Sequence, residues 1–231
     1  MSGHQLLDYR PPPDQGLPTL RVDEHLIVVD KPSGLLSVPG RGEAFADCMA
    51  ARVQARYPDA LIVHRLDMDT SGLLLMARGK EMQRLLSELF LRREVDKRYV
   101  AVVHGQVEAD SGVVDLPLMT DWPNRPRQKV DHELGKPSQT RYWVRHRDEQ
   151  HNITRVELEP ITGRSHQLRV HMLSLGHPIV GDPLYGPAGD AGSGSEQASP
   201  PRGRLLLHAA DLSFTHPVSG EVIRLSSQAP F

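Results

Sequence analysis

Residues 61–76 read LIVHRLDMDTSGLLLM. The apolar runs Leu61-Ile62-Val63 and Leu73-Leu74-Leu75-Met76 have the length and composition of buried strands. Between them lies the polar connection His64-Arg65-Leu66-Asp67-Met68-Asp69-Thr70-Ser71-Gly72. A polar link between two buried strands is a natural seat for chemistry, because the scaffold on either side holds the loop side chains in place.

Outward from this stretch the same kind of segment recurs. Upstream, Leu26-Ile27-Val28-Val29 is stopped by Asp30-Lys31-Pro32-Ser33-Gly34, a strand feeding a turn, and a helix is predicted across about 45–56. Downstream of Met82, Leu85, Leu86, Leu89 and Phe90 recur at helical spacing. Strand-like segments then dominate at 99–103, 113–118, 140–146, 156–159, 205–209 and 222–225. One helix interrupts them, starting near Ser165 with Leu168, Met172 and Leu175 on one side. Many strands, few helices and no regular βαβ alternation predict an α+β domain on a mixed, mainly antiparallel sheet with flanking helices and loops. This domain is expected over 20–231. Residues 1–19, with Pro11-Pro12-Pro13, read as a flexible lead-in, and 186–203, GPAGDAGSGSEQASPPRG, as a disordered surface loop.

The net charge of −2 lacks the basic excess that alone announces a nucleic-acid binder. Cys48 is the only cysteine, which excludes an internal disulfide and reads as a half-buried structural residue. No basic flank precedes an apolar stretch at the N-terminus, and no run approaches the roughly 20 apolar residues of a membrane span, so a cytosolic chain with no membrane partner is expected.

Three constellations carry possible chemistry. In an extended strand Arg65 and Asp67 share a face, and a guanidinium there favours the ionised carboxylate, which suits a nucleophile or base rather than an acid. By spacing alone, the commoner duty of such an aspartate is to cap a turn or to pair with Arg65 at the surface. The second is Thr162-Gly163-Arg164-Ser165-His166-Gln167-Leu168-Arg169-Val170-His171, a glycine turn opening into a helix rich in donors. It reads either as an anion site or as a solvated basic helix start. His166 and His171, five apart, sit roughly 140° around a helix and do not form a metal pair. The third comprises residues 84–98 and Trp122-Pro123-Asn124-Arg125-Pro126-Arg127-Gln128-Lys129, surfaces suited to a phosphate backbone and a stacked base, although charge runs are commonly just solvated faces. Walker A, GxSxG, HExxH and CxxC patterns are all absent.

Taken in order, Asp30-Lys31-Pro32-Ser33-Gly34-Leu35, residues 64–72, Lys97-Arg98-Tyr99-Val100, residues 162–171, Gly176-His177-Pro178-Ile179 with Gly181-Asp182, and Leu206-Leu207-His208-Ala209 resemble the RluA family of pseudouridine synthases. The similarity runs from about 22 to 227. Ser37-Val38-Pro39-Gly40-Arg41, residues 121–130 and Gly135-Lys136-Pro137 extend it to the subgroup that modifies tRNA, in the anticodon stem-loop, and 23S rRNA.

The resemblance, not the spacing, carries the reaction: isomerisation of uridine in RNA by a cytoplasmic, monomeric enzyme with no cofactor, no metal and no S4 domain. It implies Asp67 as the catalytic carboxylate, Tyr99 stacked on the target uracil and taking the C5 proton, and Arg164 paired with Asp67. Arg65 would fill the gap left by the flipped nucleotide. His64, Thr70, His166, Gln167 and Arg169 are the further substrate-binding residues it implies. Asp69 is a nearby second acid that the family motif does not require. The rival readings are a family member acting on a different tRNA or rRNA site, a noncatalytic RNA-binding assembly factor with the same fold, and a metal-dependent hydrolase using some of the twelve histidines.

Overall fold

The fold is built around β4, Ser71–Arg78, a strand with both faces covered. In the computed structural model, which describes residues 9–187 and 203–231, Leu74 and Met76 pack with Ile27, Val29 and Val53 on one face, while Leu73, Leu75 and Ala77 pack with Met82 and Leu86 on the other. Complete burial on both sides explains why this strand reads as an unbroken apolar run rather than an alternation. Each fully buried Leu contributes about 1.5–3 kcal/mol relative to exposure.

The other elements are β1 (Thr19–Val22), β2 (Leu26–Lys31), α1 (Met49–Arg56), β3 (Ala60–Ile62), α2 (Gly79–Arg92), β5 (Asp96–His104), β6 (Ser111–Asp115), β7 (Leu118–Thr120), β8 (Gln128–Val130), β9 (Gln139–Asp148), β10 (Ile153–Pro160), α3 (Gln167–Ser174), β11 (Leu207–Thr215) and β12 (Val222–Ser226). One sheet runs β1-β2-β4-β11-β5-β10-β9-β6, with β3 added on β4 and β12 on β11. All its pairs are antiparallel except β4 with β11. The predicted α+β class and mainly antiparallel sheet are therefore observed. In β10, Thr154, Val156 and Leu158 are buried while Arg155, Glu157 and Glu159 are partly exposed, the alternation of a strand with one wet face.

The parallel contact is short, Ser71 and Gly72 against His208 and Ala209, and it depends on glycine. Gly72 has φ 111°, and a Cβ there would stand 2.3 Å from the Ala209 carbonyl oxygen. This junction anchors the end of the loop that carries Asp67.

Three expectations need correction. Residues 9–18 are irregular but not a mobile lead-in. The Tyr9 ring stacks on Phe45 at 5.6 Å, its hydroxyl donates to Asp47 O at 2.9 Å, and Arg52 Nη2 donates to Pro12 O at 2.7 Å. Proline forbids regular pairing but not docking. Residues 1–8, and 188–202 of the expected surface loop, lie outside the described residues. The strand expected at 113–118 is split around Leu116-Pro117 into β6 and β7, and β7 pairs with β8 in a separate hairpin. Cys48 is fully buried and caps α1, its sulfur accepting from Ala51 N at 3.4 Å.

Candidate active site

The helix α3 is buried almost all round: Gln167, Leu168, Arg169, Val170, His171 and Met172 are all covered. A polar side chain in such a helix must find its partners inside the protein. Gln167 does so completely. Its Oε1 accepts from Thr162 Oγ1 at 2.7 Å and Arg164 N at 3.0 Å, and its Nε2 donates to Gln139 O at 2.9 Å and Thr140 Oγ1 at 3.0 Å. Those four bonds exhaust the amide, so Gln167 ties the 162–167 turn to β9 and holds nothing in reserve for substrate.

Arg169 is the centre of the site. Nε and Nη2 form a two-pronged bond to Asp182 Oδ2 and Oδ1, both at 2.7 Å, and Nη1 donates to Asp67 Oδ2 at 3.2 Å. Asp182 Oδ1 also accepts from Leu184 N and Tyr185 N. Burial works against the Arg169 charge, but the bonds and charges of Asp182 and Asp67 outweigh it and hold the guanidinium above its ordinary range. A guanidinium forked onto Asp182, with its remaining nitrogen bonded to Asp67, fixes the direction of the Asp67 side chain.

The backbone beneath Asp67 is pinned equally well. Lys31 Nζ donates to Pro32 O, Leu35 O and Met68 O, and Gly34 N donates to Met68 O at 3.0 Å. Ser37 Oγ bonds Leu66 O, Ser33 Oγ bonds Asp69 O, and Thr70 N closes a turn onto Asp67 O at 3.2 Å. Burial lowers the Lys31 pKa to about 7, with Asp69 and Asp67 opposing the shift.

On the open side of Asp67 stand His166 and Tyr99. His166, in a left-handed conformation with φ 52°, has Nε2 4.0 Å from Asp67 Oδ2 and Nδ1 2.8 Å from the Tyr185 hydroxyl. Burial lowers its pKa, against the Asp67 charge. Tyr99 of β5 packs against both neighbouring core clusters, and burial followed by the Asp67 charge pushes its phenol up. Its hydroxyl makes no hydrogen bond among the described residues. Asp67, Tyr99, His166 and Arg169 thus form a carboxylate, a ring with a polar tip, an imidazole and a guanidinium around one opening.

The remaining expected site residues divide. Arg65 is exposed and unpaired among the described residues. Thr70 is buried and serves the turn. His64 does not face this opening: its Nε2 accepts from Leu75 N at 2.9 Å, and its ring stacks on Phe90 of α2 at 4.5 Å, on the opposite face of the sheet. The pairing of Arg164 with Asp67 is also corrected. Arg164 is exposed, donates from Nε to Pro137 O at 3.2 Å, and leaves Asp67 to Arg169. The reason is the backbone: α3 begins only after His166, so residue 164 lies in the turn while residue 169 projects from the buried helix.

Asp182, Tyr185 and Lys31 were not singled out as site residues from the sequence. A signal for Asp182 was available, since a cation flanked by Leu168 and Val170 on a buried helix demands a carboxylate, and Gly181-Asp182 lay among the segments of family resemblance.

A family model described as RNA pseudouridylate synthase matches residues 25–174. The chain is 53% identical over 217 residues to the dual-specificity RNA pseudouridine synthase RluA of Vibrio vulnificus (strain CMCP6), covering 93% of this chain and 84% of that one. It is 50% identical over 224 residues to the protein of the same description from Escherichia coli (strain K12), covering 97% and 98%. Among solved structures it is similar to human RNA pseudouridylate synthase domain containing 1, with a TM-score of 0.75 and 28% identity over 96% of this chain and 87% of that one. The corresponding human domain containing 4 gives 0.68 and 26% over 92% and 88%.

Proposed function

The chain belongs to the RNA pseudouridylate synthase family, and on that premise we propose that it isomerises specific uridines in the anticodon stem-loop of tRNA and in 23S rRNA, with Asp67 as the reacting carboxylate. The observation that carries this reading is the Arg169 bond that orients Asp67, with Tyr99 near enough to feel the Asp67 charge.

The reaction breaks the bond from ribose C1′ to uracil N1, turns the base while it stays bound, and joins C1′ to C5. Hydrogen moves from C5 to N1 in net terms, and no other atom is gained or lost, so no co-substrate is called for. Positive character at C1′ is met by Asp67, which either bonds to C1′ or removes a ribose proton; the held geometry serves both. Arg169 keeps the carboxylate aimed. Tyr99 presents a ring face for the uracil. Because its phenol resists ionisation, it accepts the C5 proton only as it passes its own on. Arg65 fills the stack vacated by the flipped nucleotide, offsetting part of the few kcal/mol that flipping costs. We further propose a cytoplasmic monomer; among the described residues no helix is long and apolar enough to cross a membrane.

The test is tritium release from C5-labelled uridine in unmodified tRNA and 23S rRNA transcripts under excess chelator. Wild type is expected to release label from both, and Asp67→Asn to lose at least roughly a thousandfold in rate. Undiminished release by Asp67→Asn would overturn the role of Asp67, and tight binding of both transcripts without release would overturn the substrates.

A further inference from the structure

Behind the loop that carries Asp67, a cavity of about 840 Å³ opens at the ends of β2, β4 and β11. That is ample for a small organic ligand. The Ser71, His208 and Arg204 part of its wall lies on the face of the sheet opposite Tyr99. Tyr99, Ala101 and Leu207 pack together on one face of the sheet. His208, the next residue along β11, points to the other face, where its Nδ1 lies 2.9 Å from Ser71 Oγ.

Arg204 completes this wall. Its Nη2 donates to Ser71 Oγ at 2.8 Å, its Nε is buried with no acceptor, and no carboxylate pairs with it among the described residues. Apart from that bond its contact is with the Phe231 ring, 5.4 Å from the guanidinium carbon. Burial, with no opposing anion, lowers its pKa. A guanidinium has five donors, and one so poorly served inside a cavity is short of an acceptor-rich partner.

The opposite charge lines the same space. No donor reaches the Asp69 carboxylate among the described residues, and burial raises its pKa. The other charged walls are already engaged: Asp30 accepts from Ser227 Oγ, Arg52 is forked onto Asp47, and Lys31 is spent on three carbonyls. Much of the rest is apolar, including Pro12, Leu17, Pro18 and Met49.

We propose that this cavity is a nucleotide-binding site, with the phosphate on Arg204, ribose hydroxyls donating to Asp69, and the base against the proline and methionine wall. The three ligand parts match the three surfaces: acceptor-only oxygens for a guanidinium without a carboxylate, O–H donors for a carboxylate that Arg169 and Lys31 act on only through space, a flat heterocycle for an apolar wall. The nucleotide comes either free from solution or from the RNA chain, and the two sources are separable.

Adenosine 5′-monophosphate is the probe, because the catalytic opening handles uracil. Calorimetric titration of the full-length protein is expected to show saturable binding, weakened at least roughly tenfold by Arg204→Gln and by Asp69→Asn and unchanged by Asp67→Asn. Thermal midpoints check folding; should Arg204→Gln fail to fold, Arg204→Lys keeps the charge, loses the fork and is expected to bind more weakly than wild type. If adenosine monophosphate does not bind but Arg204→Gln raises KM for the RNA transcripts with kcat unchanged, the RNA chain supplies the nucleotide. Only that second arm rests on the proposed activity. Equal nucleotide binding by wild type and the position-204 variant, or no effect in either arm, overturns the site.

Discussion

The start of α3 and the β7–β8 hairpin are both short, arginine-rich stretches, yet they have opposite physics. Arg169 is buried with all three guanidinium nitrogens committed to carboxylates. In the hairpin, Trp122 is 65% exposed, with the Arg125 guanidinium 5.0 Å from its ring centre. A buried charge demands a partner and is thereby fixed in position; an exposed one stays adaptable to a moving polyanion. Under the proposed function, the first stretch aims the reacting group and the second is expected to follow an RNA backbone. They meet at Tyr185, whose hydroxyl contacts both His166 Nδ1 and Gln128 N, and whose ring lies under Arg127 and Arg169.

The largest effect is expected from Arg169→Ala. It strands Asp182, whose side chain is fully inaccessible, and frees Asp67. Removing one member of a buried pair costs about 3–5 kcal/mol, a fall of roughly 10 °C in thermal midpoint for a chain of this size, and tritium release should vanish. A variant that melts like wild type would break the contrast, because the charge would then not need its partner.

The hairpin should respond in binding rather than stability. Combined Arg125→Ala and Trp122→Ala are expected to raise KM for tRNA roughly tenfold or more with kcat retained, as loss of one stacked base alone is worth about 1–3 kcal/mol. The slope of log affinity against log salt should become shallower by about one for the lost phosphate contact. A fall in kcat at unchanged KM would move the hairpin into the chemistry and erase the distinction.

His64 sharpens the comparison from within the catalytic loop. Burial, and then the Lys97 charge, lower its pKa to about 3. The unfolded imidazole titrates near 6.5, so between about pH 6.5 and 3 the unfolded chain binds a proton that the folded one refuses. Stability is present in full above 6.5 and declines as pH falls, by about 1.4 kcal/mol per unit for this one group. His64→Gln keeps an acceptor for Leu75 N and removes that proton. Chemical denaturation at pH 7 and pH 5 should therefore show a smaller loss than wild type, with a residue from His166, His171 and His208, which burial also depresses. An unchanged loss would return His64 to the solvent side, where substrate could meet it.

What the sequence disclosed follows the same division between local and distant causes. β4, α2 and β10 were legible because burial on two faces, one stripe or alternate residues each leaves a periodic trace. Asp67 was reached through the order of several segments, since its spacing from Arg65 fits a surface ion pair equally well. The docking of Tyr9 on Phe45 left no trace, being a contact between irregular segments far apart in the chain. β7 and β8 are three residues each, too short for periodicity to register.

The choice between Arg164 and Arg169 was hidden for a different reason: it turns on one backbone angle. The left-handed His166 swings the chain so that the helix begins at Gln167, burying residue 169 and leaving residue 164 in the turn. Arg164→Ala removes an exposed side chain whose bond is to a single carbonyl, so stability should stay within about 0.5 kcal/mol of wild type. Its kcat should be nearly unchanged, with at most a modest rise in KM from a lost phosphate contact. This is the smallest effect in the series, and it is read against Arg169→Ala in the same assay. If kcat instead falls as far as it does for Arg169→Ala while the thermal midpoint holds, Arg164 reaches the reacting carboxylate once RNA is bound. The exposed arginine would then do in the complex what the buried one does in the free protein.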